Sequence, residues 1–60
     1  MSEQKFTKGQ IWGALKKAWK AYKIAKVQKD RKRMKEYAKR IQTLQKELGL
    51  EVAKFPELGL

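Results

Sequence analysis

Apolar residues recur at helical spacing along two stretches of this chain, and this periodicity constrains the fold more than any other feature. In the first stretch Ile11, Leu15 and Tyr22 fall on one face of a helix, with Ala18 between them. Each position lies three or four residues from the next, which is the repeat of an amphipathic helix. The spacing predicts a first helix that is capped by Thr7 and starts near residue 8 or 9.

A second seam flanks that apolar face and consists of small residues. We call it the alanine edge, and its members are Ala14, Ala18, Ala21 and Ala25. They are spaced by four, three and four residues, so they share one side of the predicted helix. Small side chains on one side allow another helix to approach closely.

The second stretch carries apolar residues at nearly heptad spacing. They are Met34, Tyr37, Ile41, Leu44 and Leu48, with Ala38 beside them. Gly49 follows the last of them and suits the left-handed residue that ends many helices, and Leu50 stands where an apolar contact back onto the last turn is usual. The pattern predicts a second helix that ends at residue 48.

The junction between the two stretches leaves two architectures open. The second stripe starts about a quarter turn out of phase with the first, so a bend within residues 26–31, capped by Asp30, would form an αα-hairpin. The segment contains no Gly or Pro, so one long bent helix is the alternative. The predicted fold class is all-α, with two amphipathic helices and an extended C-terminal tail.

Three segments follow from these patterns. We predict a flexible lead-in over residues 1–7, a basic helical hairpin over 8–48 and an apolar extended tail over 49–60. Pro56 favours an extended conformation at the residue before it. The tail is expected to pack on the helices or to dock on a partner through Leu50, Val52, Phe55, Leu58 and Leu60.

The two stripes also define a candidate core or partner face. Its members are Ile11, Trp12, Leu15, Trp19, Tyr22, Met34, Tyr37, Ile41, Leu44 and Leu48. Large aromatic side chains bury much apolar area each, so we expect the aromatic members to lie in the core of so short a chain. Stacking on the bases of single-stranded nucleic acid is the alternative for them.

Positive charge is concentrated in the middle of the chain. The net charge is +10, and residues 8–40 hold 13 basic residues against Asp30 and Glu36. Like charges three or four residues apart destabilise a helix unless something neutralises them, which favours a polyanionic partner over a merely solvated face. Lysine outnumbers arginine by 10 to 3 in this block, which suits contact with phosphates more than recognition of bases.

The candidate phosphate-contacting residues are the cations of this block, and residues 29–33 form its densest cluster. They are Lys16, Lys17, Lys20, Lys23, Lys26, Lys29, Arg31, Lys32, Arg33, Lys35, Lys39 and Arg40.

The sequence contains few residues of the kinds that catalyse reactions. The chain contains no Cys and no His, and it has no glycine-rich phosphate-binding motif, so we predict neither an enzyme, nor a metal site, nor a cofactor. It has no signal-peptide pattern and no apolar run approaching the ~20 residues that span a bilayer, and we expect a cytoplasmic protein.

These observations favour a small basic nucleic-acid-binding structural protein that contacts the phosphate backbone. RNA is favoured over DNA, within a ribosome-type ribonucleoprotein assembly, where neighbouring proteins or self-association would supplement a core that is marginal at this length. A DNA-compacting or virion-packing protein is one alternative, and a helical oligomerisation module is another. A membrane-active cationic amphipathic helix is a less favoured third, and Trp12 and Trp19 beside lysines fit its pattern.

Overall fold

The computed structural model describes residues 7–60, which form two α-helices and a short C-terminal segment. Helix α1 spans Lys8–Val27, helix α2 spans Arg31–Glu47, and a 3-10 helix spans Pro56–Leu58. The two α-helices pack against each other as a hairpin. The predicted all-α hairpin is therefore confirmed, and the single long helix is excluded. The predicted lead-in lies outside the described residues, apart from Thr7.

Helix α1 starts at a capping box. The Thr7 hydroxyl accepts a hydrogen bond from the backbone N–H of Gln10 at 3.2 Å, and the Gln10 side-chain carbonyl accepts one from the N–H of Thr7 at 3.0 Å. Two backbone donors that the first turn would leave unpaired are thereby satisfied. The helix begins where the Thr7 signal predicts.

A turn of only three residues reverses the chain between the helices. Lys29 has a φ of 58°, in the left-handed region that glycine usually occupies. Its N–H donates to the carbonyl of Lys26, and the N–H of Asp30 donates to the carbonyl of Ala25, which is the Schellman pattern. The Asp30 side chain then accepts from the N–H of Arg33 at 3.2 Å and caps α2. Asp30 thus caps both helices, the end of α1 through its backbone N–H and the start of α2 through its carboxylate.

The same pattern ends α2. Gly49 has a φ of 74°, and the N–H of Leu50 donates to the carbonyl of Gln45 at 2.9 Å. The Leu50 side chain remains 37% exposed, so it contributes less to tail packing than the sequence suggests.

The core lies between the two helices and the tail. Its buried members are Leu15, Ala18, Tyr22, Ala25, Met34, Ala38, Ile41, Phe55 and Leu58. The Phe55 ring lies against two aromatic residues of α1, with centroid distances of 5.1 Å to Tyr22 and 5.8 Å to Trp19. Such aromatic pairs stabilise a core beyond the area that they bury. The tail therefore supplies a structural part of the fold.

Two glutamines of α2 attach the tail backbone to the hairpin. The Gln42 amide donates to the carbonyls of Ala53 at 2.9 Å and Leu60 at 3.0 Å. The Gln45 side chain is buried and accepts from the N–H of Ala53 at 2.8 Å. The tail differs from the extended conformation predicted over 49–60, because its last residues coil into the 3-10 helix that brings Leu58 into the core.

Candidate nucleic-acid interface

All twelve candidate phosphate-contacting side chains are exposed. Within residues 7–60 one ion pair forms, between Arg33 and Asp30 at 3.5 Å. Arg31 is also engaged, since its guanidinium donates to the backbone carbonyl of Glu57 at 3.0 Å. The other ten form no ion pair with a carboxylate of the described chain, so their charge is free to attract anions.

The first row of these cations follows the outer side of α1. We call Lys16, Lys20 and Lys23 the α1 lysine stripe; they are exposed, whereas Ala18 and Ala25 on the opposite side are buried. Successive members are four and three residues apart, which places their Cβ atoms about 5–6 Å from each other. A rigid helix therefore presents three ammonium groups in a line.

A second row lies on the outer side of α2. We call Lys32, Lys35, Lys39 and Lys46 the α2 lysine stripe, and all four are exposed. Lys46 was missed by the sequence prediction because it lies beyond the basic block. The signal for it was its heptad spacing from Lys32 and Lys39, which places the three on one side of a helix.

The remaining candidates do not join these two stripes. Lys26 and Lys29 lie near the turn, whereas Lys17 and Arg40 lie on the flank of the hairpin that the tail leaves open. The structure therefore separates the predicted block into several surfaces.

That open flank carries an apolar groove of about 520 Å³ between the two helices. Ile11 and three members of the alanine edge, Ala14, Ala18 and Ala21, line its α1 side, and Tyr37 and Leu44 line its α2 side. The groove was not predicted, although the alanine edge indicated a place where a helix could approach. Lys17 and Arg40 also line it, one from each helix.

The aromatic residues of α1 have different environments. Tyr22 is buried and Trp19 is partly buried against Phe55, as expected for core residues. Trp12 differs from that expectation, because it is 45% exposed and lies outside the core. It follows Ile11 directly, so it lies about 100° around the helix from that residue, at the margin of the apolar face.

In comparisons with protein-family models, with curated proteins and with solved structures, nothing matches this chain. Neither helix of the described chain is long and apolar enough to cross a membrane. Among the same residues, His, Cys, Asp and Glu form no group of three or more that could hold a metal ion.

Proposed function

We propose that the chain is a non-enzymatic nucleic-acid-binding protein that holds a phosphate backbone along its two lysine stripes. The observation that carries the proposal is that fourteen of the fifteen exposed cations in residues 7–60 have no carboxylate partner. Each phosphate that a lysine neutralises releases condensed counterions, and this release drives binding. Lysines act as point charges without a preferred base edge, so binding would track the backbone rather than the sequence.

RNA in a ribosome-type assembly is the polyanion that we favour. The composition is similar to that of small ribosomal proteins and also of nucleoid and virion packing proteins. We favour RNA because a Lys-rich helix pair without a base-reading motif suits phosphate contacts in a large assembly, where neighbours supplement a small core. This chain uses Phe55 and Leu58 of its tail in its own core, so the tail has less apolar surface for a neighbour than the sequence suggested. The same proposal includes a cytoplasmic location.

The test is a titration of labelled RNA and DNA duplexes of the same sequence at several salt concentrations. We expect binding that weakens steeply with salt, and tighter binding to RNA than to DNA. Tighter binding to DNA would instead favour DNA compaction or virion packing. Dye release from anionic vesicles without duplex binding would favour the membrane-active alternative.

The open groove favours a second candidate function, the docking of a neighbouring protein. Lys17 and Arg40 line it from the two helices, and no acidic side chain lines it. Its complement in charge and shape is an acidic amphipathic helix whose apolar side lies on the alanine edge. A second copy of this chain fits less well, since it would bring the same cations and a further net charge of +10 to the groove.

We expect a synthetic amphipathic peptide with leucines on one side and glutamates on the other to bind the groove. Ala14→Gln should weaken that binding by filling the groove, and it should leave RNA binding unchanged, because Ala14 is exposed and lies off both lysine stripes. Fluorescence anisotropy of the labelled peptide measures the effect. The same peptide with lysines in place of glutamates is the control, and equal binding of both peptides would contradict this function. A dimer in sedimentation without peptide would favour self-association.

A further inference from the structure

One large aromatic residue of α1 lies apart from the aromatic cluster of the core. Trp19 and Tyr22 pack against each other and against Phe55, with ring centroids 5.1–5.9 Å apart. Trp12 has no such aromatic partner among the described residues and is 45% exposed. Its indole is therefore available to a ligand.

The position of Trp12 on the helix places it among lysines. Lys8 precedes it by four residues and Lys16 follows it by four, so the three side chains lie one above the other, about 6 Å apart along the axis. Lys23 lies eleven residues on, which is close to three full turns and thus the same side. Both Lys8 and Lys16 are exposed. Trp12 thus extends the α1 lysine stripe toward the start of the helix.

We propose that Trp12 stacks on an unpaired base of a single-stranded nucleic-acid segment whose adjacent phosphates bind Lys8 and Lys16. This inference rests on the proposed function and adds the kind of nucleic acid that the site prefers. Alternating cations and an exposed aromatic ring suit single strands, because every base has a face for stacking and the backbone follows the charges. A base inside a duplex is already stacked on its neighbours and cannot use the indole.

The test compares two RNA probes, an unstructured 12-nucleotide strand and a blunt 12-base-pair duplex. Trp12→Leu keeps an apolar side chain but removes the ring, and we expect it to weaken binding to the strand by about 5- to 150-fold. Binding to the duplex should be unchanged, since the lysines remain. Trp12→Phe should restore part of the lost affinity. Val27→Ala is the matched control, because Val27 is an 81% exposed apolar residue of the same helix.

A second measurement does not depend on the stability of the Trp12 variants. In Trp19→Phe the only tryptophan is Trp12, since the chain has two. We expect the single strand to quench its fluorescence and the duplex to quench it much less.

Three results would overturn the inference: equal strand binding by Trp12→Leu and the natural chain, equal weakening on both probes, or equal quenching by both. Failure of the proposed function itself would look different, because the natural chain would then bind neither probe.

Discussion

Replacing Phe55 with alanine is expected to unfold most of the chain. Phe55 is 5% exposed, and its ring joins the tail to Tyr22 and Trp19 of α1. Truncating a buried phenylalanine costs about 3–5 kcal/mol. A core in a chain of this length rarely supplies more than about 3–5 kcal/mol, so the loss is comparable to the whole free energy of unfolding. Circular dichroism at 222 nm should show the helical signal largely lost at 25 °C.

Lys54→Ala is the control for that substitution. Lys54 is the neighbour of Phe55 and is exposed, so its removal should leave the melting temperature close to that of the natural chain. If Phe55→Ala melts cooperatively within a few degrees of the natural chain, the tail does not contribute to the core as the structure describes.

Neutralising the α1 lysine stripe is expected to have the second large effect. In the triple variant Lys16→Gln, Lys20→Gln and Lys23→Gln, three phosphate contacts are lost while the helix is kept, because glutamine and lysine have similar helix propensities. Each lost contact reduces the slope of log K against log salt concentration by about 1, so the slope should fall by about 3. Near 0.1 M salt the triple variant should bind duplex RNA about two to three orders of magnitude more weakly than the natural chain does. Anisotropy titrations of a labelled duplex measure both quantities.

Single substitutions test whether binding depends on where a lysine lies or only on the total charge of the chain. Lys20→Gln should reduce the slope by about 1. Lys54→Gln removes the same charge from the tail, outside both stripes, and should leave the slope nearly unchanged. A triple variant with the slope of the natural chain would show that phosphates do not bind the α1 lysine stripe.

Local signals in the sequence predicted the helix ends well. Thr7, Asp30 and Gly49 act through hydrogen bonds and backbone conformations that involve only the nearest residues. The sequence could not decide between the hairpin and one long bent helix. The residue that reverses the chain, Lys29, adopts a left-handed conformation that a lysine rarely takes, and nothing in its side chain indicates this.

The position of the tail depended on contacts between distant residues. Gln45 falls on the apolar side of α2 and is buried, and its side-chain carbonyl accepts a hydrogen bond from the backbone N–H of Ala53 in the tail. The position of the tail also determines how far each of the two tryptophans is buried. Trp19 packs against Phe55, whereas Trp12, one heptad earlier, remains exposed. Spacing along one helix could not distinguish the two.

The candidate site was predictable in its charge but not in its geometry. The identity of twelve exposed cations followed from the basic block between residues 8 and 40. The spacing of the lysines shows which of them share a side of a helix, and Lys46 could have been included on that ground. Which side faces outward, and that Lys17 and Arg40 line the groove, depended on the packing of α1 against α2.

The salt dependence of RNA binding shows whether the lysine stripes hold a phosphate backbone. A labelled RNA duplex is titrated with the natural chain at increasing salt, with a DNA duplex of the same sequence in parallel. If six or more lysines bind phosphates, the Kd should rise by about three orders of magnitude or more between 50 and 200 mM salt. A Kd that changes less than about tenfold over the same range would correspond to two contacts at most and would exclude phosphate binding along both lysine stripes.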